Sequence, residues 1–188
     1  MALMMTLTAF PQSGESKQLT KFEEFSSKTG SIIKFVDFSL PKLSLSWGPL
    51  GTSILVMKAN KDSYFYRIEE AETRSSVAHI AMIEYSDLVE INKALVKLTS
   101  EVESDIVTNP DYLENKFITT DGFQVGYYVN KGSAHWYLKL ERYSSSTVFV
   151  KNQEVLVEAF TNAQKKNRRI KSWNKLRLVI SPKSKPRR

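Results

Sequence analysis

A turn-and-strand pattern that occurs twice in this chain constrains its fold more than any other feature. Asn60-Lys61-Asp62-Ser63 leads into a strand-forming run at 64–69, and Asn130-Lys131-Gly132-Ser133 leads, two residues later, into a similar run at 136–141. Both runs have the order aromatic, aromatic, large apolar or aromatic, basic, apolar, acidic. Because a helix-like segment follows in each case, the pattern predicts two copies of one ββββα unit. Chance similarity between two amphipathic hairpins is the alternative.

Hydrophobic periodicity predicts the strands and helices of the two units. Period-two runs rich in β-formers lie at 32–38, 43–47, 53–58, 64–69 and 77–85, and again at 116–119, 123–130, 135–143 and 147–150. Two stripes at helical spacing follow, the first capped by Ser86-Asp87 and the second by Asn152. The stripes are Leu88, Ile91, Leu95, Leu98 and Val102, then Leu156, Phe160 and Ala163. The predicted class is therefore α+β, with two ββββα repeats whose antiparallel sheets are each packed by one helix.

The same pattern divides the chain into four parts. The duplicated domain covers 31–166, with repeat one at 31–108 and repeat two at 111–166. Before it, residues 17–30 carry apolar positions at helical spacing and predict a short helix, and residues 1–16 resemble a truncated signal segment with a linker. Residues 167–188 form a basic tail.

Positive charge is concentrated at the end of the chain. Residues 165–188 hold eleven Lys and Arg and no acidic residue, so residues 1–164 hold the other sixteen against all twenty Asp and Glu. The net charge of residues 1–164 is thus about −4, so the positive net charge of the whole chain, formally +7, comes from its tail. A nucleic-acid partner inferred from the isoelectric point would depend on that segment alone.

The second stripe predicts apolar residues at 167 and 170, where the chain has Asn167 and Ile170. The run at 167–173 can be encoded so that a reading frame shifted by one base gives Ile at 167 and Leu at 170. One hypothesis is therefore that residues from Asn167 onward come from a frameshift, which the coding DNA tests. The alternative is a genuine extension, in which 173–180 adds a strand or touches a membrane and Lys183 to Arg188 bind phosphates.

The sequence contains none of the common catalytic, nucleotide-binding or metal-binding motifs. With no Cys there is neither a disulfide nor a thiolate site, and no P-loop, GxGxxG, GxSxG or HExxH pattern occurs. His79 and His135 lie in predicted strands without the convergent ligands that a metal needs, and the carboxylates at 101–105 are expected to be solvated. We therefore expect no enzyme activity, no metal and no cofactor.

One sheet face remains as a candidate binding surface. In the paired strands, alternate residues face the helices, which leaves aromatic and basic residues on the opposite face. Aromatic and basic side chains on an open sheet suit base stacking with phosphate contact, although Glu69 and Glu141 share that face. The alternative is an interface between the repeats or between subunits of a homodimer. The candidate binding residues are Phe65, Arg67, Tyr137, Lys139 and Tyr143.

Two resemblances follow from these segments. The duplicated ββββα plan, with the hairpin at 123–143 and a helix from Asn152, resembles the PUR-type and Whirly-type single-stranded nucleic-acid-binding folds. Lys131-Gly132-Ser133-Ala134 is similar to the Lys-Gly-Lys-Ala-type signature of Whirly proteins. The apolar stretch Ala2 to Phe10, together with 111–117 and 121–128, resembles small exported proteins of uncharacterised function from Gram-negative, gut-type bacteria. That second resemblance implies export and no particular activity.

The sequence therefore predicts a non-enzymatic, exported or periplasmic binding or interaction protein whose partner is a protein or a small ligand. The alternative is a cytoplasmic single-stranded nucleic-acid-binding protein of PUR/Whirly-like topology. No apolar run is long enough to span a membrane.

Overall fold

A five-stranded antiparallel sheet forms the first half of the structure. The computed structural model describes residues 18–28, 30–46, 48–70, 78–108, 110–142 and 146–180, and for 177–180 the backbone only. Sheet one has the order β1-β3-β4-β5, and β2 pairs with the beginning of β3 on the same side as β1. β1 and β2 thus act as one edge strand interrupted around Pro41. The strands are β1 (Lys34–Ser39), β2 (Leu43–Ser44), β3 (Pro49–Lys58), β4 (Ser63–Glu70) and β5 (His79–Glu84).

A four-stranded antiparallel sheet forms the second half. Sheet two has the order β6-β7-β8-β9, and an isolated bridge between Leu45 and Val150 joins it to the end of β2. The predicted α+β class with two ββββα units is therefore confirmed. The strands are β6 (Leu113–Ile118), β7 (Gln124–Asn130), β8 (Ser133–Lys139) and β9 (Val148–Phe149).

Three helices lie in the described part of the chain: α1 (Lys21–Ser26), α2 (Tyr85–Val107) and α3 (Gln153–Ile180). A capping box between Thr20 and Glu23 begins α1. Asn152 accepts from the backbone of Val155 at 3.2 Å, as predicted for the start of α3. The predicted cap of α2 was wrong, because Glu84 holds that position and accepts from the Ser86 backbone N–H at 2.6 Å.

Each of the two long helices contacts strands of the other unit. α2 contacts strands of both sheets, namely β4 and β5 in sheet one and β6, β7 and β8 in sheet two. α3, although it follows sheet two, contacts β2, β3 and β4 of sheet one. The Phe160 ring of α3 lies edge-on to Tyr66 of β4 at 5.3 Å. Both predicted stripes are buried in one core that is shared by the two units.

α3 passes without a break through the boundary predicted at residue 167. Ile170 is buried as the stripe requires, and Asn167 is fully buried although neither its amide oxygen nor its amide nitrogen has a hydrogen-bond partner in the described part of the chain. The expectation of an added strand at 173–180 was wrong, since these residues are helical. Lys183 to Arg188 and the segment 1–16 lie outside the described residues.

Candidate functional site

A cleft of about 750 Å³ lies where the two sheets and α1 meet. Its apolar wall comes from sheet one, from α1 and from the loop ends of sheet two. This volume falls in the range of small-ligand pockets, which combine apolar walls with a few polar groups. The apolar lining residues are Phe22, Leu55, Ile80, Met82, Ile83, Phe123 and Leu140.

Sheet two contributes two loops to the cleft, and a glycine allows these two loops to pack closely against each other. The β6–β7 turn brings Asp121 and Phe123, and the segment after β8 brings Leu140, Glu141 and Arg142. Gly122 has a φ of 91°, and a Cβ at that position would lie 2.3 Å from the Cβ of Arg142. Only glycine allows this backbone conformation and this close approach together. Arg142 also donates a hydrogen bond to the Thr120 carbonyl, which fixes its guanidinium at the rim.

One lysine of α1 contacts two carboxylates that line the cleft. The ammonium of Lys21 lies 2.7 Å from both oxygens of Asp87 at the start of α2, and its backbone N–H donates to Asp121 at 3.2 Å. Burial raises the pKa of Asp121 above its ordinary value, and the nearby charge of Asp87 raises it further. Lys21 opposes this rise, because both its backbone hydrogen bond and its charge lower the pKa of Asp121.

Two of the predicted binding residues lie on the outer face of sheet one, and the structure separates their roles. Arg67 lines the cleft and pairs with Asp37 at 3.1 Å and with Glu69. Phe65 is fully buried, because Phe22 and Phe25 of α1 contact its ring edge-on at 5.6 and 6.2 Å. The expectation that this part of the face is open therefore needs correction, since α1 covers it. This short helix was predicted, but its position on the sheet was not.

Two more of the predicted residues, Tyr137 and Lys139, lie on the outer face of sheet two, and neither lines the cleft. Tyr137 is buried, and its hydroxyl donates to Glu114 on β6. The intervening strand β7 has Gly126 opposite Tyr137, so the ring crosses β7 where no side chain stands in its way. Lys139 is half-buried on the same face, and Tyr143 lies outside the described residues. The four predicted residues that the structure describes therefore do not form one site.

An aromatic group on sheet two was missed by the sequence analysis. The ring of Tyr128 stacks between Tyr112 at 6.1 Å and His135 at 4.9 Å, and Phe149 meets it edge-on at 6.2 Å. Alternation in β7 and β8 already places Tyr128 and His135 on the outer face, which was the available signal. Lys116 also lies there, but it pairs with Glu114 at 2.9 Å.

The histidines and carboxylates outside the cleft show no further site in the described part of the chain. His79 lies 3.5 Å from Glu141, and His135 stacks on Tyr128. Across residues 18–180, apart from the undescribed gaps, no three His, Asp or Glu side chains converge as metal ligands would. Within the same residues, no helix has the length and apolar character needed to cross a membrane.

Comparisons with protein-family models, with curated proteins and with solved structures give no match to this chain.

Proposed function

We propose that this protein is a non-enzymatic binding protein that holds a small amphipathic ligand in the cleft between α1 and the two sheets. The observation that carries the proposal is the cleft itself, a concave space of about 750 Å³ with a mainly apolar wall and charged groups at its rim. An apolar ligand body would displace water from Leu55, Met82 and Leu140, which is favourable at roughly 25 cal/mol per Å² of buried apolar area.

The rim favours a ligand that also carries a polar group. Arg67 of sheet one and Arg142 of sheet two line the cleft, and so do Asp121 and Glu141. Each of these groups already has a protein partner, so a polar group of the ligand would compete with an existing hydrogen bond or ion pair. These polar groups would orient the ligand, and the apolar wall would supply most of its affinity.

Titration with N-phenyl-1-naphthylamine, a neutral fluorescent probe of apolar sites, tests this proposal. We expect saturable binding of one probe per chain. Ile80→Trp, which fills the cleft from β5, should weaken it at least roughly tenfold. Ile118→Trp on sheet two is the matched control, because Ile80 is 38% exposed and Ile118 51% exposed, and both lie on strands. Equal binding by the two variants would refute the assignment.

Export is the second part of the proposal. It is supported by the apolar stretch Ala2 to Phe10, which the polar run at 12–16 follows, as in the second half of a secretory signal. Fractionation of cells that express the full gene, followed by sequencing of the N-terminus of the recovered protein, tests it. Recovery in the cytoplasm alone would support the alternative location.

Single-stranded nucleic-acid binding is the second candidate function. The exposed rings around Tyr128 on sheet two favour it, since aromatic side chains on a sheet can stack with bases for roughly 1–3 kcal/mol each. The ion pair of Glu114 with Lys116 weighs against it, because it neutralises positive charge on the same face. The cleft therefore remains the first candidate.

Fluorescence anisotropy with a labelled single-stranded oligonucleotide at increasing salt tests this alternative. If it is correct, Tyr128→Ala with His135→Ala abolishes binding that survives moderate salt. Phe35→Ala on the outer face of sheet one is the control. Binding that disappears with salt and is equal in all variants reports nonspecific charge attraction only.

A further inference from the structure

The exposed side of α3 beyond residue 164 combines positive charge with two unpartnered apolar side chains. Trp173 is 68% exposed and Leu176 is 56% exposed. They are three residues apart, so they are neighbours on one face of the helix. Large apolar side chains exposed together on a charged helix mark an interaction surface more often than an isolated exposed Leu does.

Basic side chains are frequent on the same stretch of α3 as this apolar pair. Between residues 165 and 176 the chain has Lys165, Lys166, Arg168, Arg169, Lys171 and Lys175, and no Asp or Glu. Arg169 lies one turn before Trp173 on the same face of the helix, and Lys175 precedes Leu176 in the chain. Lys165, Arg169 and Lys175 are exposed, and no described residue forms a hydrogen bond or an ion pair with them.

The helix is held in place by other residues, so this face does not stabilise the fold. Asn174 donates to the Tyr64 hydroxyl at 3.1 Å, Arg168 donates to the Tyr85 hydroxyl at 3.3 Å, and the Lys171 ammonium lies 4.0 Å above the Tyr85 ring. These contacts and the burial of Ile170 fix the rotation of α3 on the core. Trp173 and Leu176 consequently face solvent.

We infer that this face of α3 binds an anionic lipid surface. A helix that carries Trp and Leu on one side and Lys and Arg around them lies in the headgroup region, with its apolar side chains inserted and its cations near lipid phosphates. Basic residues near such a surface are attracted to its anionic headgroups. A nucleic acid would satisfy the cations, but Leu176 has no ring for a base to stack on. The chemistry therefore favours lipid.

Vesicle cosedimentation with the full chain tests the inference. Binding to vesicles of equimolar phosphatidylglycerol and phosphatidylcholine should exceed binding to phosphatidylcholine alone by roughly tenfold or more, and added salt should reduce it. Trp173→Ala with Leu176→Ala keeps the charge and should lower the partition coefficient roughly tenfold. Lys165→Gln with Arg169→Gln and Lys175→Gln should remove the preference for anionic vesicles.

Val96→Ala with Val107→Ala is the matched control, because these α2 residues are 68% and 81% exposed and removing them also takes two apolar side chains from a helix surface. This variant should bind vesicles as the unaltered protein does. Quenching of tryptophan fluorescence by brominated lipid, present in the unaltered protein and lost in Trp173→Phe, would place that ring among the acyl chains. Vesicle binding that is unchanged in Trp173→Ala with Leu176→Ala overturns the inference, and so does tighter binding to an oligonucleotide than to anionic vesicles at equal salt.

Discussion

The hydroxyl of Tyr127, on β7 in the second repeat, lies 2.6 Å from a carboxylate oxygen of Asp105, on α2 in the first repeat. Asn115 of β6 reinforces this contact by donating to Glu101 of the same helix at 2.8 Å. The carboxylates at 101–105 were expected to be solvated, and Glu101 and Asp105 are partly exposed but also accept these hydrogen bonds. They tie the helix of one repeat to the sheet of the other.

Tyr127→Phe is expected to lower the free energy of unfolding by about 1–3 kcal/mol, because it leaves Asp105 without its donor. Burial, and next the hydrogen bond to Asp105, raise the pKa of Tyr127 above the ordinary value near 10. The folded protein therefore keeps a proton that the unfolded chain releases, so this stabilisation is complete below pH ~10 and is lost as the pH rises toward the raised pKa.

Urea denaturation at pH of about 9 and about 11 measures both effects of this variant. The unaltered protein should lose stability between these values, and Tyr127→Phe should lose less. Some loss should persist, since burial also raises the pKa of Tyr66 and of Tyr137. Tyr112→Phe, at an exposed tyrosine, is the control. Identical pH dependence in Tyr127→Phe and the unaltered protein would contradict the assigned role.

Gly126→Ala is expected to destabilise the protein by about 2 kcal/mol or more, because β7 approaches β6 closely at this position. A Cβ there would lie 2.3 Å from the Asn115 carbonyl oxygen and 2.7 Å from the Lys116 Cα, so backbone would have to move. Gly51→Ala is the matched strand control, since its nearest neighbour would be 3.7 Å away. Thermal unfolding of both variants checks the difference, and equal melting temperatures would be inconsistent with the close approach.

Asn167→Leu is expected to raise the free energy of unfolding by about 1–3 kcal/mol, because it replaces a buried amide that has no partner in the described part of the chain with an apolar side chain of similar shape. Ser172→Leu, on the exposed side of the same helix, should change stability by less than about 0.5 kcal/mol. Guanidinium denaturation measures both. An apolar residue at 167 is also what the frameshift hypothesis predicts, and that hypothesis is tested separately by the codons. A loss of stability in Asn167→Leu would show that the amide has a role.

Phe65→Ala is expected to cost about 3–5 kcal/mol, as for a large side chain removed from a packed core. Phe35→Ala, on the same face of sheet one but half exposed, should cost less than about 1 kcal/mol. Calorimetric unfolding of the two variants separates a covered face from an open one. Similar small losses in both would mean that α1 does not cover Phe65 in solution.

The elements that sequence predicted well are those whose signal is local. Leu88 to Val102 and Leu156 to Ala163 are buried at the predicted stripe positions, because helical spacing places such residues on one face whatever covers them. Alternation likewise placed Tyr66 and Trp136 toward the core. The binding face was predicted less well, since alternation indicates which side Phe65 occupies but not that α1 packs on that side.

The sequence by itself therefore determined the two ββββα units, the faces of their strands and helices, and the concentration of positive charge toward the chain end. Only the tertiary structure decided that α3 packs on sheet one, that α1 covers Phe65, and that Arg67 and Arg142 meet at one cleft. The physical reason is that periodicity indicates which residues are buried, and burial depends on whether the residue itself is apolar. The choice of partner depends on contacts between distant residues, such as the 3.2 Å hydrogen bond from Asn92 to the Phe160 carbonyl, and no local pattern encodes them.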